Sequence, residues 1–391
     1  MANPRLEYPN HQYLLKNWIV HLCLAAILLA GCASQAEPTQ TPPPEATPAP
    51  SPLPSPSPAS PPTPLVVFCA GSLIQPFADL EKAFESKYPQ IDVRNECHGS
   101  IQVIRHVTEL HELIDVVATA DAALIPMLMY QTTNPETGLP YANWHIRFAS
   151  NRLGLAYTEQ SQLAETINAE NWAQVLADPQ LRVGLADPRF DAAGYRGLMA
   201  FALAQYATGN YRLFIDMFNG QFTQPITIFI DDEETRIDVP EILETTPDAH
   251  ILLRGASIQL IALLESGDLD YAFEYESVIR QHGLKLLSLP DEVNLGVEDL
   301  NDFYQQVLVR LNFQRFSTVQ PEFRGEQIGY GITIPSNAPH PEAAELFIEF
   351  MLGPEGRAIM DANFHPVFPS PEVDGCENIP PSLAGLCQAG D

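Results

Sequence analysis

The chain has 391 residues, 46% of them hydrophobic, which allows two domains with ample core. Its 20 basic and 49 acidic side chains give a net charge of −29. That balance excludes a nucleic-acid binder, which needs a basic footprint, and a protein that docks on anionic lipid. It leaves room for a small anion held locally by neutral donors and helix ends, with the excess charge serving solubility.

The N-terminus reads as an export segment. Arg5 and Lys16 precede an apolar run from Trp18 to Ala30, and Leu29-Ala30-Gly31-Cys32 closes it. The run is short for a membrane span. Small residues before a cysteine have the form of a bacterial lipobox, with cleavage before Cys32 and lipid on its thiol. Loss of residues 1–31 removes Arg5, Lys16 and Glu7, leaving 18 basic (20 − 2) and 48 acidic (49 − 1) side chains, net −30. Residues 33–64 hold 13 prolines and no basic residue, a composition that packs no core and forms an extended, solvated tether. The folded body is expected outside the cell, or in the periplasm, anchored on the outer face of the cytoplasmic membrane.

A short phrase then occurs twice. Ala70-Gly71-Ser72-Leu73 follows the apolar run Leu65-Val66-Val67-Phe68, and His98-Gly99-Ser100-Ile101 follows Ile91-Asp92-Val93. Each marks a change from strand to helix pattern. A helix start has unpaired N–H groups and partial positive charge; glycine permits close approach, and serine caps the helix while offering a hydroxyl. Two such corners, 28 residues apart, converge on one anion if their strands are neighbours. Two ordinary N-caps are the plainer alternative.

Apolar stripes predict helices through Leu73, Phe77, Leu80 and Phe84, and through Ile101, Ile104, Val107 and Leu110. Ile114–Ala118 reads as a third strand, with Asp121 as a cap after it. The βαβαβ order implies a parallel sheet. Asn143–Tyr157 reads as one long strand leaving this unit, and Asn171–Leu176 as a helix. Arg182–Leu185 is a buried strand; a polar turn and the GYR sequence, Gly194-Tyr195-Arg196, open the long helix after it. Asp231–Glu234 reads as a solvated acidic loop, Ser257–Leu264 as a helix, and Leu269–Ser277 as a strand with its exit turn. Gly329–Pro335 is another strand, and Pro341–Met360 a helix pair broken at Gly353-Pro354.

Cys69 and Cys97 stand three residues before Ser72 and Ser100, so neighbouring parallel strands would bring the thiols together, and an oxidising compartment permits a bridge. Cys376 and Cys387 are a second possible pair, closing a loop in the tail. Four free buried thiols are the alternative, since spacing does not fix connectivity. The ten histidines show no HExxH and no tight Cys/His cluster, and neither a GxSxG elbow nor a P-loop is present.

The ordered set CAGSL, CHGS, ATAD, GYR, DYAFEY and YGITIP, with the lipobox, resembles the archaeal and bacterial tungstate/molybdate-binding proteins of ABC importers over about residues 65–370. The resemblance implies an α/β, two-lobe type II periplasmic-binding-protein fold. Each lobe is then a mostly parallel sheet flanked by helices, and crossover strands join them. Residues 65–146 would open the first lobe, 147–290 form the second, and 291–391 return to complete both. It implies one bound oxyanion, no further cofactor, no catalysis, a monomer, and a permease as partner. Ser72 and Ser100 would donate hydrogen bonds to the ligand. Asp191 and Glu274 would reach its metal atom, with Tyr275 as a neighbouring donor. The family turn usually carries Asp-Asp-Pro-Cys before GYR; here it is Phe190-Asp191-Ala192-Ala193, which makes Asp187 the reserve candidate. Arg196 is either an anion clamp or the partner of an acidic neighbour. Another tetrahedral oxyanion, or an enzyme on the same scaffold, are the competing readings.

Overall fold

The computed structural model describes residues 61–231, 234–312 and 321–388. The export segment, Cys32 and all but the end of the Pro-rich tether lie outside the described residues. The tether gives way at Thr63, where the first strand begins.

The first lobe is a six-stranded mixed sheet. In spatial order its strands are Val367–Asp374, His145–Ser150, Gly329–Thr333, Val116–Thr119, Thr63–Ala70 and Ile91–His98. The last three run parallel. Thr63–Ala70 lies between two parallel neighbours, and from Leu65 onward it is almost wholly buried, as an interior parallel strand must be. Ile91–His98 is the edge strand and keeps Asp92, Arg94 and Glu96 toward solvent, which discourages pairing with another chain. The helix Ile74–Lys87 buries Phe77, Leu80 and Phe84, and its aromatic rings meet Phe347 and Phe350 of the helix Pro341–Leu352.

The second lobe carries a five-stranded sheet, in the order Lys285–Ser288, Leu153–Tyr157, Tyr271–Tyr275, Val183–Ala186 and Ile251–Arg254. Here too the last three strands are parallel. The helix Ala192–Thr208 packs between this sheet and a further four-stranded sheet of Glu322–Arg324, Val307–Leu311, Thr235–Val239 and Thr227–Ile230. It is buried along most of its length because both sides are covered, and it stops at Gly209, whose φ of 71° only glycine adopts freely. The four-stranded sheet is absent from the sequence reading. Of the expected acidic loop, Asp231 and Glu234 lie in the connection between two of its strands; residues 232 and 233 lie outside the described residues.

Two expectations need correction. Asn143–Tyr157 is two strands, His145–Ser150 in the first sheet and Leu153–Tyr157 in the second. The chain therefore changes sheets at Asn151-Arg152, beyond the expected 146/147 boundary. The Leu269–Ser277 strand ends at Tyr275, and Ser277 belongs to the helix Glu276–Gln281. The described strands flanking the corners match their sequence reading closely.

Register decides what each sheet presents at its edge. Ala70 pairs with His98 and Cys69 with Cys97, so both Gly–Ser corners leave the first sheet side by side. The structure joins Cys69 to Cys97, with Cα atoms 4.4 Å apart, and Cys376 to Cys387, with Cα atoms 6.0 Å apart. In the second sheet the turns after Ala186, Arg254 and Tyr275 likewise leave one edge, the place where such sheets bind ligands.

Gly331 shows how tightly the first sheet is packed. A Cβ there would lie 2.7 Å from Cα of Ala122 and 3.0 Å from Cδ1 of Ile125. Gly331→Ala should cost about 1–3 kcal/mol of stability through overpacking. Urea unfolding should show a lower midpoint with an unchanged slope; an unchanged midpoint would mean that the Ala122 backbone yields.

Candidate functional site

The two serines of the first lobe do not cap their helices. The N-cap positions are Ala70, Leu73 and Gly99, none with a side-chain cap bond; Ser100 sits one residue past Gly99, and Ser72 lies within the short turn Gly71–Leu73, one residue before Leu73. Their hydroxyls instead serve long-range contacts. Ser100 Oγ accepts the N–H of Ala120 at 2.9 Å. Ser72 Oγ lies 2.8 Å from the Tyr330 hydroxyl, which accepts from Nδ2 of Asn151 at 2.9 Å. Either hydroxyl of that pair can donate, and Tyr330 can accept from Asn151 while donating on to Ser72. In that arrangement the hydroxyl proton of both serines stays available to a ligand.

The second lobe brings two carboxylates together through a third serine. Asp191 is the N-cap of Ala192–Thr208, with Oδ1 accepting the Ala193 N–H at 2.8 Å. Its Oδ2 accepts the N–H of Ser257 at 3.0 Å. The hydroxyl of the same Ser257 donates to Oε1 of Glu274 at 3.1 Å, and the Tyr275 N–H donates to that oxygen at 2.7 Å. Oε2 of Glu274 is buried and has no hydrogen-bond partner among the described residues. Burial pushes the Glu274 carboxyl up to about 8; nearby Asp191 adds to the rise, and the two donors oppose it. Burial also raises Asp191, against the N–H groups of Ser257 and Ala193.

The lobes meet around these groups. The carbonyl of Phe190 accepts the N–H groups of Ile101 at 3.1 Å and Gln102 at 3.3 Å, so a turn of the second lobe satisfies the helix start of the first. The Phe190 ring stands near the guanidiniums of Arg105, at 5.8 Å, and Arg189, at 5.3 Å, one from each lobe. Beside it, Arg196 Nη1 donates to the Ala120 carbonyl at 2.7 Å and the Tyr275 hydroxyl at 2.6 Å. Arg196 Nη2 pairs with Asp121 at 3.2 Å, and Tyr195 donates to the same carboxylate.

Ser72, Ser100, Asp191 and Glu274 are thus brought to one interlobe region. Gly99, next to Ser100, faces the Asp191 turn, and Gly71, next to Ser72, faces Ile258, next to Ser257. Tyr275 is fully buried, and its hydroxyl belongs to the Arg196 cluster. Of the two readings of Arg196, the structure places it on an acidic neighbour. Asp187, the reserve candidate, is held by Arg189, whose Nε donates to it at 2.8 Å. Sequence reasoning missed Ser257, Tyr330 and Asn151. For Ser257 a signal existed: Gly255-Ala256-Ser257-Ile258 is a third corner of small residue, serine and apolar residue between a strand and a helix.

Strand-to-helix corners of two α/β lobes thus meet around two buried carboxylates. Residues 65–364 match the model of the bacterial extracellular solute-binding protein family, and the chain belongs to that family. Among its relatives, the molybdate/tungstate-binding protein WtpA of Thermococcus kodakarensis is 34% identical over 332 residues, 83% of this chain and 87% of that one. An uncharacterized solute-binding protein of Petrotoga mobilis is 35% identical over 326 residues, 83% of this chain and 90% of that one. The fold is also that of the sulfate-binding protein SubI from Mycobacterium tuberculosis H37Rv, at 13% identity and a TM-score of 0.50, over 83% of this chain and 89% of that one.

Glu274 makes the ligand-free protein pH-sensitive. Its carboxyl is raised from 4.5 to about 8 by folding, so the unfolded chain ionises first as pH rises. Stability from this group is complete below pH 4.5 and is lost as pH climbs to about 8, at up to about 1.4 kcal/mol per unit. Glu274→Gln should unfold like the wild type at pH 5 and be the more stable protein at pH 8.5, measured by urea titration at each pH. Parallel curves would place Glu274 in a solvated setting.

Gly99 tests the contact between lobes. A Cβ there would lie 2.3 Å from the Phe190 carbonyl oxygen. In Gly99→Ala the amides of Ile101 and Gln102 should exchange with deuterium faster than in the wild type, while the strand Thr63–Ala70 keeps its protection. Equal rates at both amides would show that the contact does not hold the helix start.

Proposed function

We propose that this protein captures tungstate or molybdate outside the cytoplasmic membrane and delivers it to an ABC importer. It does so as a monomeric binding protein without catalysis, tethered through lipid on Cys32. Oε2 of Glu274, buried without a hydrogen-bond partner among the described residues and close to the Asp191 carboxylate, is the observation that carries this reading. The name borne by the Thermococcus kodakarensis relative supports it.

A dianion about 4 Å from an ionised carboxylate is repelled by roughly 4 kcal/mol per pair of unit charges, at an effective dielectric of about 20. Sulfur in sulfate gains nothing in return. Tungsten(VI) and molybdenum(VI) are large, have an empty d shell and accept further oxygen ligands. A carboxylate of Asp191 or Glu274 then becomes a ligand of the metal atom. The hydroxyls of Ser72 and Ser100 donate to the oxo groups, and Tyr275 adds a donor at the Arg196 side. The carboxylates select against sulfate and phosphate by repulsion as well as for the metallate by bonding.

One observation favours a second reading. A Glu274 carboxyl that titrates near 8 is protonated at neutral pH and can donate a hydrogen bond, which suits sulfate or phosphate. Titration calorimetry with tungstate, molybdate, sulfate and phosphate at pH 6.5 and 8.5 separates the two. Metal coordination requires the carboxylate, so tungstate affinity should rise toward pH 8.5 and binding at pH 6.5 should release a proton. A protonated donor predicts the reverse, tighter binding at pH 6.5. Asp191→Asn and Glu274→Gln should each weaken tungstate binding at least about tenfold and narrow the margin over sulfate. Sulfate or phosphate bound more tightly than tungstate by the wild type would overturn the reading.

A further inference from the structure

Ser257 touches both carboxylates with different atoms. Its N–H, at the N-cap of the helix Ile258–Glu265, goes to Asp191, and its hydroxyl goes to Glu274. The hydroxyl is not used to cap its own helix, the ordinary employment of a serine at this position. Both oxygens of Asp191 accept an N–H, from Ala193 and from Ser257. Glu274 is treated unequally: Oε1 accepts two donors and Oε2 none among the described residues.

A carboxylate has no preference between its two oxygens, so the asymmetry has to come from its neighbours. The Tyr275 N–H is fixed by the strand and by itself allows the carboxylate to swing about its last torsion. A second donor on the same oxygen, from another element, removes that freedom. We infer that Ser257 is a positioning residue: by holding Oε1 it turns Oε2 of Glu274 toward the bound oxyanion as the metal ligand, while its own N–H fixes Asp191 independently. The inference rests on the oxyanion reading above and adds to it a division of labour. Asp191 is held at both oxygens, and Glu274 supplies the open one.

Ser257→Ala removes the hydroxyl and leaves the N–H on Asp191; Ser257→Thr keeps both. Sodium molybdate is the probe, with sodium sulfate as control, on the full chain without its export segment. Affinity comes from calorimetry, and the metal's oxygen shell from X-ray absorption at the molybdenum edge. Ser257→Ala should bind molybdate about tenfold or more weakly, with its carboxylate oxygen shell diminished and its sulfate affinity unchanged. Ser257→Thr should restore the shell and come within about threefold of the wild type. In a Glu274→Gln background Ser257→Ala should change molybdate affinity little, because a residue acting through Glu274 has nothing left to position. A purely structural role would instead cost the same in both backgrounds. Wild-type shell and affinity in Ser257→Ala overturn the inference while leaving the oxyanion reading standing. A wild-type protein that binds neither molybdate nor tungstate ends that reading, and this inference with it.

Discussion

The site depends on a burial problem. Two carboxylates, Asp191 and Glu274, are taken out of water and joined through Ser257, with N–H and O–H groups as their direct donors. The guanidinium of Arg196 gives its hydrogen bonds to Ala120 and Tyr275 and its charge to Asp121. Burying an ionised group without a paired charge is costly, and the protein meets that cost by raising both carboxyls. On the reading proposed above, a ligand that takes a carboxylate as a bond partner relieves this tension.

Lobe contact and site assembly are the same event in this fold. The Asp191 turn that supplies a carboxylate also supplies the Phe190 carbonyl that satisfies the helix start behind Ser100. The Asp121–Arg196 pair crosses between lobes within one hydrogen bond of Tyr275. Asn151, where the chain changes sheets, reaches Ser72 through Tyr330. Sheet crossover, corner and carboxylate turn are therefore tied together by short polar contacts.

Local pattern made much of the fold legible. The Gly–Ser corners stood out because a strand period turned into a helix period within four residues, and the described structure has both corners at one sheet edge. The serines' role was less legible. Neither occupies an N-cap position, and their hydroxyls answer to Ala120 and Tyr330, 20 and 258 residues away. Asp191 and Glu274 stood out only through family resemblance, because an isolated aspartate before a helix reads equally well as a cap, and Asp191 is in fact that too. The Asn151-Arg152 break escaped notice because apolar residues continue on both sides of it, and the extra four-stranded sheet because its short strands are separated in sequence.

Composition and order in the chain by themselves determined an acidic α/β protein with an export segment and anion-friendly corners, since charge balance, apolar period and turn chemistry are local quantities; the two lobes entered through family resemblance. Tertiary structure alone decided which polar atom meets which. Arg196 was free, on sequence, to hold an anion or an acid; Asp121 lies 75 residues away and reaches it only when the lobes meet. Ser257 joins carboxylates 66 and 17 residues distant, through backbone and side chain respectively. Such pairings depend on strand order and lobe approach, which are properties of the packed chain as a whole.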